Sequence, residues 1–155
     1  MQEMKLDASA FDRFRERLEQ TPQVIKDAKR QALEIAAPKL EALARAEIGG
    51  SGRVQSWQEG HIGSKGGYAK ARPRPKTYAE AKGLKTYAEW SEENKPKRYA
   101  GGYITNAINN GHLSPRARKP IAGKNFYQRA QARAEPIAQE VGKQIVQALI
   151  DHLEG

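Results

Sequence analysis

GGYITNAINNGH (residues 101–112) and GKNFYQRA (residues 123–130) decide how this chain is read. The first joins aromatic and β-branched residues to a tight Asn-Asn-Gly and a histidine; the second runs from a glycine into helical spacing. An enzymatic reading needs partners for His112. A structural reading makes Gly111 a turn, where glycine's tolerance of positive φ is useful, and makes the stretch a seam between a strand and its covering helix.

Outward from the seam, Asn125 is placed to cap a helix, and Gln128 three residues on completes an approximate capping box. Phe126, Ala130, Ile137, Val141, Ile145, Leu149 and Leu153 then recur at helical spacing, with Pro136 as a kink. Ile137, Val141, Ile145 and Leu149 are expected against a sheet and against the helix of residues 24–44, with Gln144 on the polar back. Upstream, Ser9 is a plausible cap for a short helix carrying Phe11, Phe14 and Leu18. Thr21-Pro22 reads as a restart. Val24, Ile25, Ala28, Ala32, Ile35, Leu40, Leu43 and Ala44 form the next stripe, which Pro38 should kink or divide and Gly49-Gly50 should end.

Between the helices, GRVQSWQEGHI (52–62) and YAGGYITNA (99–107) have β character, and GSKGG (63–67) is a turn or flexible loop. YAKARPRPK (68–76) is basic and proline-broken, too polar for a central strand. KTYAE occurs at 76–80 and again at 85–89, a local echo rather than a repeat architecture. The expected fold is α+β: two long, amphipathic, proline-kinked helices on one face of a small antiparallel sheet with a long basic loop. The 155 residues are expected to form a single domain, with residues 1–50 helical, 51–122 strands and basic loop, and 123–155 the C-terminal helix.

Composition narrows the function. Charged residues make up 29% and hydrophobic residues 38%, and mean hydropathy is −0.82, which implies either exposed loops or burial completed by neighbouring subunits. No apolar run is long enough to cross a bilayer, and the acidic, amphipathic start has no apolar core of a secretion signal. With no cysteine there is neither a disulfide framework nor a thiolate metal site. The net charge of +9 is concentrated, residues 51–135 carrying 17 Lys and Arg against six Asp and Glu.

His61, His112 and His152 fall in three separate elements, without the i, i+3 or i, i+4 spacing of a metal site. Ser51 in GGSGR follows a helix rather than a strand and lacks the lysine of a phosphate loop. Glu59, Glu80, Glu89, Glu92 and Glu93 sit in polar sequence with nothing to raise a carboxyl pKa. No catalytic residue, cofactor or metal is expected.

Lys65, Lys70, Arg72, Arg74 and Lys76 do cluster, interleaved with Tyr68, Tyr78, Pro73 and Pro75. Cations on such a segment suit a polyanion or an acidic protein surface, and the tyrosines suit stacking or protein contact. Residues 63–76 are expected to be mobile in the free subunit and to order against a partner.

An amphipathic helix pair, then Gly52-Arg53-Val54 with Ser56-Trp57, then Thr105-Asn106 before Gly111-His112, then Gly123 with Phe126-Tyr127 and Ala130, together resemble the tail-completion (minor tail component, head–tail joining) family of long-tailed bacteriophages. The resemblance implies a structural virion protein rather than an enzyme, assembled in the host cytoplasm, not secreted, and located in the neck or tail region of the virion. It implies a ring, expected to be a hexamer, with tail-tube and head-connector proteins as partners and DNA passing through the channel. His112 then becomes a turn residue near a subunit interface. The alternatives from other classes are a nucleic-acid-binding accessory module using residues 65–76, and a small hydrolase or toxin using His61 and His112.

Overall fold

The computed structural model describes residues 9–50, 52–80, 98–114 and 117–155. Ser51, the second KTYAE, Glu89, Glu92 and Glu93, the acidic N-terminal residues 1–8 and part of the basic excursion lie outside the described residues. In chain order the elements are α1 (Ser9–Ile48), α2 (Arg53–Ser56), β1 (Gln58–Ile62), a 3-10 turn (Ser64–Gly66), β2 (Ala69–Pro73), β3 (Tyr78–Glu80), β4 (Arg98–Ala100), α3 (Gly101–Asn110), β5 (Gly111–Leu113), β6 (Pro120–Ala122), α4 (Phe126–Ala132) and α5 (Glu135–Glu154). This is an α+β arrangement, mostly helical, with the long α1 packed against a small antiparallel hairpin.

α1 is one helix of 40 residues, about 60 Å at 1.5 Å per residue. The expected restart at Thr21-Pro22 does not occur: Thr21 Oγ1 donates to Arg17 O at 2.9 Å, the bond of a threonine inside a helix rather than at its cap. Pro38 likewise does not divide α1, because packing along both sides of the helix outweighs one lost donor. Ion pairs at i, i+4, Arg30–Glu34 and Arg45–Glu41, brace the exposed sides. The buried face is small: Ala28, Ala32, Leu33, Ala36, Ala37 and Ala44. Ile25 and Ile35, expected in that stripe, are exposed.

That alanine face lets other backbones approach closely. A Cβ on Gly60 would lie 2.2 Å from Ala37 O, so β1 crosses α1 main chain to main chain. Glu41 Oε2 accepts from Gly60 N at 3.0 Å, and Arg45 Nη2 donates to Gln58 O at 3.0 Å, so helix side chains satisfy the strand edge that β2 does not reach. β1 pairs antiparallel with β2, with Glu59 opposite Arg72 and His61 opposite Lys70.

α5 runs antiparallel to α1. Ile137 and Val141 share a crevice with Ala32 and Ala36, while at the other end Arg17 Nη1 donates to Leu153 O at 3.3 Å and His152 Nε2 lies 2.8 Å from Arg17 O. The expected stripe faces α1, but no α5 side chain is fully buried, and Gln144 is half-buried beside Ile145 instead of on the polar back.

Four further expectations change. The strands form three separate two-stranded ribbons, β1–β2, β3–β4 and β5–β6, rather than one sheet under two helices. Val54 and Ser56 belong to the helical turn α2. Residues 101–110 are helix, not strand, so Thr105 and Asn106 lie within α3; Thr105 Oγ1 donates to Gly101 O at 2.6 Å, which offsets its β-branched stiffness. The basic segment 63–76 is largely a hairpin rather than an unpaired loop, because β1 has a free edge for Ala69–Pro73 to pair with.

Leu33 is 8% exposed and Ile35 50%. Leu33→Ala should therefore cost about 2–5 kcal/mol, and Ile35→Ala about 1 kcal/mol or less, in paired denaturant titrations. Equal losses would mean that α1 turns another face to the core.

Candidate functional site

The motif residues converge on one seam. Asn109 is 3% exposed and sits at the end of α3. Its Oδ1 accepts from Tyr127 N at 2.9 Å, and its backbone O accepts from Asn125 N at 3.0 Å. It supplies the cap expected of Asn125, which is left-handed (φ 50°) and makes no side-chain cap bond. The approximate capping box with Gln128 does not form; a cap from another element does the same work at the same helix start.

Glycine is required here twice. Gly111 leaves α3 at φ 95°, and a Cβ on Gly123 would lie 2.4 Å from Asn109 O. The two glycines let the chain leave α3, turn through β5–β6 and pass back over the end of α3 before α4 begins. Phe126, 1% exposed, is the largest fully buried side chain, and Ala130 is buried on the same helix. His112 is exposed, with Nδ1 3.2 Å from Ala107 O.

Gln58 ties the seam to the hairpin. It is fully buried; Nε2 donates to Val54 O at 3.0 Å, and Oε1 accepts from Tyr127 Oη at 2.5 Å. Tyr127 stands edge-on to Phe126, ring centroids 4.8 Å apart. Burial pushes the Tyr127 hydroxyl up to about 12. Trp57 closes α2, its O accepting from Arg74 N at 2.7 Å, and its ring meets the space where a Gly101 side chain would stand. Gly52 precedes α2 in open space, Arg53 and Asn106 are exposed, and Ser56 Oγ donates to Arg53 O at 2.7 Å.

The five cations are not equivalent. Arg72 Nε lies 3.0 Å and Arg74 Nε 3.9 Å from the Glu59 carboxylate. Lys70 Nζ lies 5.6 Å from the centre of the exposed Tyr68 ring, a cation–π arrangement. Lys65 (φ 66°) and Lys76 (φ 61°) occupy left-handed positions at the two turns. The hairpin thus presents Lys65, Lys70 and Lys76 outward and partly neutralises its arginines.

A second ionic group fastens α4 to the end of α1. Glu47 takes Arg133 at 2.6 Å and Arg129 at 2.9 Å, and these hydrogen bonds hold its carboxyl below the usual carboxylate range. Between α1, β2, α4 and α5 lies an open apolar cleft of about 450 Å³, bordered by Leu33, Leu43, Tyr127, Ile137, Val141 and Lys70. Among the described residues no three His, Asp or Glu side chains group closely enough to hold a metal ion, and no helix is long and apolar enough to cross a membrane.

Sequence reasoning missed Gln58, Asn109, Glu59 and Glu47. Glu59 alone carried a signal, being the acid in a strand later found opposite Arg72.

Tyr127→Phe should cost about 1–3 kcal/mol, since Gln58 Oε1 is left buried without its donor. A hydroxyl with a raised pKa stabilises the fold fully below the ordinary tyrosine value of 10.0, and that stability is lost as pH rises towards about 12. Thermal melts across this range should fall more steeply for the unaltered chain than for Tyr127→Phe; parallel curves would show that Tyr127 is not protected.

No family model, curated protein or solved structure matches the chain, so the functional reading rests on these surfaces and on the motif resemblance.

Proposed function

We propose that the chain is a structural, non-catalytic virion protein of a tailed bacteriophage, one subunit of a ring that completes the tail or joins it to the head. The observation that carries this reading is unfinished burial. The core is built largely of alanine, α5 buries no side chain fully, and Phe11, Phe14, Leu18, Val146 and Ile150 stand in solvent. A monomer gains nothing from such surface, whereas a subunit buries it against neighbours. The motif residues Gly111, Gly123, Phe126 and Ala130 fit this reading as builders of a rigid seam.

Within a ring, Lys65, Lys70 and Lys76 suit a lining that faces DNA or an acidic tail or connector protein. The rival reading, a nucleic-acid module using residues 65–76, is weakened by the Glu59 pairing of Arg72 and Arg74.

Light scattering across a concentration series, with negative-stain imaging at the upper end, should show a discrete oligomer that images as a ring. A strict monomer at every soluble concentration that also fails to bind tail-tube or connector proteins would overturn the proposal. Tight, steeply salt-dependent DNA binding by that monomer would favour the rival.

A further inference from the structure

β2 keeps one edge unused. Gly63 N donates to Tyr68 O at 2.8 Å and Arg74 N to Trp57 O at 2.7 Å, one bond at each end of the β1–β2 ribbon. Between them His61 stands opposite Lys70 and Glu59 opposite Arg72. Bonded and non-bonded pairs alternate along an antiparallel ladder, so Lys70 and Arg72 turn their main-chain groups to β1. Ala69 and Ala71 turn theirs the other way, where β2 pairs with no further strand among the described residues. Each brings one N–H donor and one C=O acceptor to that side. The outer edge of β1 is closed by Glu41 and Arg45 of α1; among the described residues no side chain does the same for β2.

Beside this edge lies the open cleft of about 450 Å³. Ala69 and Ala71 share the hairpin face that Gly60 turns to Ala37, and the cleft they border is walled by Leu33 and Leu43 of α1 and by Ile137 and Val141 of α5. Lys70 and Arg72 stand on the opposite face of β2. Glu59 takes up Arg72. Lys70 is exposed, has only the Tyr68 ring beside it at 5.6 Å, and pairs with no carboxylate among the described residues. It is also the one charged side chain on the border of the cleft.

We propose that β2 takes up an extended segment of a partner protein as a third strand, with side chains that alternate between apolar and acidic. A strand edge with open bonding groups next to an apolar trough is what strand addition requires: the ladder supplies affinity and the alternate side chains supply specificity. Side chains of an added strand follow the pleat of its neighbour. One set falls beside Ala69 and Ala71 into the cleft and is therefore apolar; the other stands beside Lys70 and Arg72 and is therefore acidic. The β2 of a second copy does not fit, because its own Lys70 and Arg72 would meet these two, and like charges opposed across a ladder destabilise it. Pro73 is no obstacle, since proline is tolerated on an edge strand. The inference rests on the edge and the cleft and stands apart from the ring reading.

A blocked, fluorescein-labelled octapeptide alternating valine and glutamate, titrated with the full chain by fluorescence anisotropy, tests it. Ala71→Pro removes an outward donor and no bond to β1, so circular dichroism should be unchanged while binding weakens about tenfold. Lys70→Glu should weaken binding of the same peptide and take up an alternating valine–lysine peptide that the unaltered chain rejects. Two further peptides, used with the unaltered chain, keep the test independent of how the variants fold. One is methylated on every valine nitrogen, the other on every glutamate nitrogen. Only one set of nitrogens can face β2, so one peptide should bind as its parent does and the other should not bind. Equal binding by both, equal loss in both, or no saturable binding of the parent would overturn the proposal. So would a peptide of the same composition with all valines before all glutamates that binds as well as the alternating one. A chain that binds the alternating peptide and never self-associates supports this inference and removes the ring.

Discussion

Main chain meets main chain where β1 crosses α1 at Gly60 and Ala37. With no side chain between them, Glu41 and Arg45 are near enough to bond the strand edge directly, and β2 then follows by ordinary pairing. The same alanine face receives α5 alongside. A leucine in place of Ala37 would push the hairpin outward and leave its inner edge unsatisfied, which is why small residues rather than a large apolar core hold this molecule together. The arrangement buries little apolar area per residue and leaves several large apolar side chains in solvent.

The elements that were legible in the sequence are those governed by local chemistry. Helical spacing marked both helical regions but not their divisions: α1 is one helix, and the C-terminal helix expected with a kink at Pro136 is two, α4 and α5, with Pro136 in the first turn of α5. Gly111 and Gly123 fell where backbone demands them. What stayed hidden depends on partners distant in the chain. GGYITNAINN has strand composition, but Thr105 bonds back to Gly101 and Asn109 locks onto the start of α4, so tertiary context overrides propensity. Thr21-Pro22 looks like a helix start, yet α1 runs on through it, with Thr21 bonded back to Arg17 and α5 packed alongside. The proline-rich AKARP reads as loop until one sees that β1 offers an edge, and an edge strand tolerates proline.

The candidate site was legible in outline and wrong in balance. A run of five cations in sequence suggests one uniform patch. In space, Glu59 takes up two of them, because strand register places it opposite Arg72 and near Arg74. The remaining lysines stand at the ends and middle of a ribbon, spaced rather than massed. Gln58 and Asn109, two uncharged residues with no distinctive setting in sequence, join α2, β1, α3 and α4 around the seam. Their worth comes from complete burial, where an amide with every partner in place fixes one arrangement and penalises others.

The joining of Arg17 to Leu153 links residues 136 apart, and that separation has a consequence during synthesis. α1 leaves the ribosome well before the helix that covers its alanine face. At about 5–20 residues per second, roughly 5–20 s separate the two. A leucine-rich stripe exposed for that interval would invite neighbouring nascent chains on the same message to stick together. An alanine stripe is only weakly adhesive; Phe11, Phe14 and Leu18, by contrast, precede it in the chain and stay exposed. The modest core thus leaves little adhesive surface along the middle of α1 while the chain is still incomplete.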